Sequence, residues 1–172
     1  MRKYLYLGGI IVLAGIVINY SLGGFKSIEP ALISTQGTII YGSLYEGSHD
    51  SDSLNNQISY FRKLLTESRV PGTLTIVNYI QPGLEKRGMI RQFVGIEWEN
   101  NIDNNNQPLD SLIIEPYNGF QFRIPIKPLV MPSPEKLKRL ALEAAESMDG
   151  ELQAYSIEQY KDRLLIINFA LK

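Results

Sequence analysis

Hydrophobic and polar positions divide the chain into regions of different period. Residues 4–22 carry no charge, and only Asn19 and Ser21 are polar interruptions. Their 19 positions come close to the roughly 20 that a helix needs to cross a hydrocarbon core of about 30 Å. Arg2 and Lys3 precede the stretch, and Tyr4, Tyr6 and Tyr20 lie near its ends, where amphipathic rings favour an interface. The pattern predicts a retained transmembrane anchor over residues 1–23. A cleaved leader would have an apolar core of about 7–15 residues and a small-residue cleavage pattern, and no A-x-A follows here. The basic N-terminal flank predicts a cytoplasmic N-terminus with the rest of the chain across the membrane, in the periplasm if the source is a bacterium. Residues 24–36, with Pro30 as a breaker, read as a juxtamembrane linker.

From residue 37 onward short apolar runs alternate with amphipathic ones. Residues 37–45 read as a strand and 46–52 as a polar turn. Leu54, Ile58, Phe61, Leu64 and Leu65 then recur at helical spacing. Pro71-Gly72 ends that helix. Residues 74–80 and 89–98 are strand-like, separated by a turn at Gln81-Pro82-Gly83. An Asn-rich loop spans 100–108, after which the pattern repeats. Residues 119–126 alternate, and 132–148 form a helix with Ser133 at its N-cap and Pro134 in its first turn. Its apolar face is Leu137, Leu140, Ala141, Ala144 and Ala145. Residues 152–157 and 164–171 are the last two strands.

The order is β-α-β-β twice, over 37–98 and 111–172, joined by a loop at 99–110. The duplication shows in the letters too: "PGTLTIVNYI" and "RQFVGIEW" in the first half answer "DGELQAYSIE" and "LLIINFAL" in the second. The expected fold is α+β, a tandem duplication of a β-α-β-β unit with its helices on one side of the sheets, following one transmembrane helix.

Composition narrows the functions. With 44% hydrophobic and 20% charged residues the chain is ordinarily globular. Its formal net charge is −1, and beyond Arg2 and Lys3 there are 15 basic against 18 acidic side chains. No basic field for nucleic acid exists, so no nucleic-acid partner is expected. Cysteine is absent, which removes disulfides, thiolate nucleophiles and thiolate metal sites.

Strand alternation sorts the candidate chemistry onto faces. In 89–98, Ile90, Val94, Ile96 and Trp98 share a mostly apolar parity with Gln92 and should pack on the helix. The opposite parity holds Arg91, Phe93, Gly95 and Glu97. Tyr79 lies with Thr75 and Val77, Tyr41 and Tyr45 with Ser43, Tyr155 with Gln153 and Ile157, and Asn168 with Ile166.

Two β-α-β-β halves in tandem, with "YGSLYEG", "PGTLTIVNYIQP" and "RGMIRQFVGIEW" in the first, resemble the GyrI-like domain, the effector-binding domain of some AraC-type and MerR-type regulators. The resemblance covers residues 35–172. With the anchor, the layout is similar to that of a GyrI-like ER-phagy receptor, without its long disordered tail. The resemblance implies a cleft between the halves that takes small hydrophobic or cationic molecules on aromatic rings and a carboxylate. That pairing is physically sensible, because rings supply apolar area and cation–π attraction while a carboxylate compensates the cation. On it, Glu97 is the candidate carboxylate, with Phe93, Arg91, Tyr41, Tyr45, Tyr79, Tyr155 and Asn168 around it. No cofactor is implied. SOUL haem-binding proteins share the duplicated fold, but the one histidine, His49, lies in the polar loop "EGSHDSDS", which reads as a solvated turn before a helix, and no metal site is expected.

Two alternatives stand beside ligand binding. One is a protein-interaction or scaffold module of a membrane complex, for which "FRIPIKPLVMP" suggests a proline-protected edge. The other is a small-molecule hydrolase with Glu97 or Glu115 as general base. No Ser-His-Asp, HExxH or phosphate-loop pattern accompanies it, so the expected role is non-catalytic.

Overall fold

The computed structural model describes residues 28–68, 71–99, 109–126 and 131–172. The apolar stretch 4–22 and the first four residues of the linker, 24–27, lie outside these residues, as does the Asn-rich loop. Among the described residues no helix is long and apolar enough to cross a membrane.

Among the described residues eight strands and three helices follow one another. Strands β1 (Ala31–Thr35) and β2 (Thr38–Ser48) precede helix α1 (Asp52–Ser68) and strand β3 (Gly72–Tyr79). A single turn, α2 (Pro82–Glu85), leads to β4 (Met89–Trp98). The second half runs β5 (Asp110–Ile114), β6 (Tyr117–Pro125), α3 (Pro134–Glu146), β7 (Leu152–Lys161) and β8 (Leu164–Leu171). The twofold β-α-β-β order is therefore present, extended in each half by one extra leading strand. β1 falls inside the stretch read as linker, and β5 just beyond the loop.

All neighbouring strands are antiparallel, in the order β1-β6-β8-β7-β3-β4-β2-β5. That order cannot lie flat. β1 and β2 stand six strand spacings apart in it, roughly 29 Å in an open sheet at ~4.8 Å per strand. Only Gln36 and Gly37 join them, and three Cα steps reach about 11 Å. The sheet must therefore close. The registers show how: one antiparallel register runs unbroken from Ala31↔Gln121 through Thr35↔Tyr117 and Thr38↔Ile114 to Gly42↔Asp110. β1–β2 is one bent stave and β5–β6 another, crossing where Gly37 adopts φ 78 against the Ile114 carbonyl. Six staves make the barrel, and among the described residues only the five-residue β1 and β5 keep a free edge.

Alternation now has a physical meaning, because one parity of each strand faces the barrel interior and the other faces the helices. The interior is filled by Ile40, Val77, Phe93, Ile114 and Ile157. Outside, α1 lays Leu54, Ile58, Phe61 and Leu65 on Leu74, Ile76, Val94 and Ile96. Leu137, Leu140 and Ala141 of α3 cover Phe122, Ile124, Leu165 and Ile167. Burying each such large side chain contributes about 1.5–3 kcal/mol. The small residues of α3 allow close approach to the sheet.

Ser133 caps α3: its hydroxyl accepts from the Lys136 amide at 3.3 Å, and Pro134 fills the first turn. Ser133→Ala should lower stability by about 1 kcal/mol, read as a shift in the urea midpoint at constant slope. Ser133→Asp should retain the wild-type midpoint.

Candidate functional site

Six of the eight candidate residues share the inner face. Arg91, Phe93 and Glu97 alternate along β4, and the ladders carry that face to Tyr79 on β3, Tyr155 on β7 and Asn168 on β8. Tyr41 and Tyr45 do not join them. In β2 they pair with Ile96 and Gln92, which belong to the helix-facing parity. Tyr45 is buried in the core under α1, where its hydroxyl donates to the Ser48 carbonyl at 2.7 Å. Alternation within β2 separates Tyr41 from Gly42 but does not say which parity points inward; only the register with β4 does.

The inner-face residues are spread along the barrel, and its middle is core. Phe93 is 5% exposed and packs among aliphatic side chains. At one end the Arg91 guanidinium lies over the Tyr79 ring at 5.5 Å and 3.8 Å from Glu46. The Glu46 contact is exposed and contributes little. Next to it Tyr155 pairs with Tyr79. Burial, and then the neighbouring Tyr79, raises the Tyr155 hydroxyl's pKa above the ordinary phenol value. Tyr117, which the alternation argument missed, comes in from the crossing stave. Burial first and Tyr155 second push its pKa up to about 12, against a hydrogen bond with Asn168. At the other end Glu97 accepts from the Thr38 hydroxyl at 2.8 Å and the Gln159 amide at 2.5 Å. A cavity of about 240 Å³ opens there, lined by Thr73, Glu97, Trp98, Gln159 and Lys161 among others. His49 is an exposed loop residue 2.7 Å from Asp50.

A second carboxylate is set quite differently. β3 and β7 are the strands where the two repeats meet, and α1 and α3 cover the sheet on either side of that seam. On the helix-facing parity the rows across β4, β3, β7 and β8 can be followed from the registers. One row is Ile96, Leu74, Tyr160 and Leu165. The next is Val94, Ile76, Glu158 and Ile167. The third is Gln92, Asn78, Ser156 and Phe169. Glu158 thus sits at the seam in a row whose other members are buried aliphatics. Oε1 accepts from the Asn78 amide at 2.8 Å and Oε2 from the Tyr160 hydroxyl at 3.1 Å. Both partners are neutral. Burial raises its pKa above the ordinary carboxylate value, although both hydrogen bonds pull the other way. Among the described residues no cation pairs with it, and a carboxylate held in apolar surroundings without one carries a desolvation cost that its hydrogen bonds offset only in part.

The surroundings extend this pattern. The Gln92 amide donates to Asn78, yet its own Oε1 is buried without a partner among the described residues. Trp98 Nε1 is likewise buried and unpartnered, but Trp98 lines the cavity beside Glu97. The Trp98 ring lies across Gly72, where a Cβ would come within 2.8 Å of it. Tyr160, its pKa raised by burial and by Glu158, supplies an aromatic wall on the β7 side. The sequence did carry a signal for this site: the duplication aligns Glu158 with Ile80, so one repeat has a carboxylate where the other has an isoleucine.

No protein-family model matches the sequence, and no curated protein matches it. Solved structures share the fold. The C-terminal domain of EcmrR aligns at a TM-score of 0.61 and 13% identity, over 86% of this chain and 99% of that one. A hydrolase from Listeria innocua aligns at 0.56 and 11%, over 90% and 98%. SAV2435 bound to tetraphenylphosphonium aligns at 0.54 and 9%, over 84% and 94%. At these identities the likeness is one of fold.

Proposed function

We propose that this domain binds a hydrophobic organic cation in a groove at the β3–β7 seam, between α1 and α3, with Glu158 as the counter-charge and Tyr160 as an aromatic wall. It acts by binding, not by catalysis. The observation that carries this reading is the state of Glu158: a partly buried carboxylate in an aliphatic row, hydrogen-bonded among the described residues only to the neutral Asn78 and Tyr160. A bound cation would offset its desolvation cost, and the Tyr160 ring would cover part of the cation's apolar surface. That a protein of similar fold holds tetraphenylphosphonium supports the ligand class.

Titration of tetraphenylphosphonium, followed by Trp98 fluorescence or calorimetry, tests it. Glu158→Gln should weaken binding by about tenfold or more, through loss of a desolvated counter-charge, while Glu97→Gln changes it less than about twofold. The second reading reverses these outcomes. It uses the Glu97 set with Arg91, Phe93, Tyr79, Tyr155 and Asn168, and its support is the cavity of about 240 Å³ beside Glu97. If neither substitution matters, both readings fail.

The uncharged residues 4–22 add a proposal that rests on sequence: they hold the domain at a membrane. The full chain should then stay in the membrane pellet after alkaline carbonate washing, and a chain beginning at Ser27 should be released. Release of the full chain would sink the anchor and leave the groove untouched.

A further inference from the structure

A cation already stands beside Glu158 at the seam, although not one that pairs with the carboxylate. Arg62 lies on α1, beside the buried stripe of Ile58, Phe61 and Leu65, and its side chain reaches across the seam to β7. Its guanidinium stands over the Tyr160 ring, 6.0 Å from the centroid. Arg62 is itself exposed. Tyr160 in turn donates to Glu158. A planar, delocalised cation therefore rests on the aromatic wall next to a carboxylate that it does not neutralise. Guanidinium stacks on rings as a plane and is weakly hydrated, unlike a compact ammonium.

The acceptors below the wall add a second, independent constraint. Glu158 has lone pairs beyond those used by Asn78 and Tyr160, because each carboxylate oxygen can accept more than one bond. Gln92 Oε1, one row along and two strands across on β4, beyond Asn78, is buried and has no donor among the described residues. Acceptors in that state are satisfied by N–H groups, and a quaternary cation has none.

We infer that Arg62 stands in the place of the ligand's cation, and that the groove is built for planar aryl cations bearing N–H donors, of the amidinium or guanidinium type. This rests on the reading of Glu158 as the counter-charge. Such a ligand displaces Arg62 from Tyr160, lays its own plane on the ring and directs its N–H groups at Glu158 and Gln92. Arg62 is then a specificity residue that weakens binding of every cation and most strongly disfavours those that cannot replace its stacking.

The test uses two probes, biphenyl-4-carboxamidinium and tetraphenylphosphonium, on the wild type, Arg62→Ala and Glu158→Gln. The wild type should bind the amidinium more tightly. Arg62→Ala should tighten amidinium binding by about two- to fivefold, the worth of one exposed cation–π contact. Arg62 is exposed, so its loss should leave the unfolding midpoint near that of the wild type. If Arg62→Ala leaves affinity unchanged or lowers it while Glu158→Gln still weakens binding, the role of Arg62 is overturned and the groove stands. If tetraphenylphosphonium binds the wild type more tightly than the amidinium, the ligand class is overturned. If no variant binds either probe, the inference and the groove reading fall together.

Discussion

Gly95→Ala is expected to destabilise the domain by about 3 kcal/mol or more, whereas Gly83→Ala, the same chemical change, should be neutral or stabilising. Gly42 and Gly95 face each other across β2 and β4 on the inner side of the barrel. A Cβ on Gly95 would lie 2.4 Å from the Tyr41 carbonyl oxygen, and one on Gly42 would lie 2.1 Å from that of Val94. The atoms in the way are backbone, so no rotamer change relieves the clash. The two strands would have to separate, stretching their ladder and opening the packing around Ile40 and Phe93. Overpacking in cores typically costs about 1–3 kcal/mol and more when the backbone must move. Against a total stability of about 5–15 kcal/mol that is a large fraction. Gly83 has nothing within 4 Å of its Cβ position, and alanine lowers the entropy of the unfolded chain. Urea denaturation of both variants decides it. A Gly95→Ala midpoint equal to that of wild type would mean that β2 and β4 are not held together this closely. The second repeat carries the equivalent pair, Gly119 opposite Ala170, with a Gly119 Cβ 2.3 Å from the Phe169 carbonyl. Each half thus closes its second strand on its last, β2 on β4 and β6 on β8, through a contact only small residues permit.

That duplicated contact also shows what a sequence makes legible. Helices α1 and α3 are legible because a buried stripe at 3.6-residue spacing has to be written in one segment: Leu54, Ile58, Phe61 and Leu65, or Leu137, Leu140 and Ala141. The central strands are legible for the corresponding reason. β1 and β5 are not, because five residues with exposed Leu32 and Ile113 carry no one-sided pattern. Their place is set by partners far away in the chain, Gln121 for Ala31 and Gly42 for Asp110. Closure of the barrel follows from those two strands, so it was hidden with them. The candidate site suffered in the same way. Alternation assigned Glu97 and Phe93 correctly to one face of β4, but whether that face is a cleft or an interior depends on closure. Phe93 lies in the packed interior. Glu158 stood in plain view in "YSIEQY", at the parity of Ser156 and Tyr160. Its importance comes from Val94, Ile76 and Ile167, contributed by three other strands.

Glu158→Gln should stabilise the domain at neutral pH while it weakens ligand binding, and the stabilisation should vanish in acid. Burial raises the Glu158 carboxyl above its ordinary 4.5 in the folded state. The folded chain therefore holds the proton more tightly than the unfolded chain does. For a group of this kind the favourable contribution is complete below the unfolded value. It is lost as pH rises through the higher folded value. At pH 7 the charged carboxylate is a net cost, and glutamine removes the charge while its carbonyl can still accept from Asn78. Its amide can donate to the Tyr160 oxygen. The gain at pH 7 should be on the order of 1 kcal/mol, shrinking as pH falls below the folded value. Glu158→Ala controls for packing: it removes the same charge but leaves the Asn78 donor unsatisfied and opens space beside Ile76, so it should destabilise. Urea midpoints of the three chains at pH 4 and pH 7 measure this. A Glu158→Gln variant less stable than wild type at pH 7 would mean that the carboxylate earns its place structurally. A more stable variant that binds poorly would mean the opposite: the chain keeps a destabilising charge at its seam because a cation is meant to meet it there.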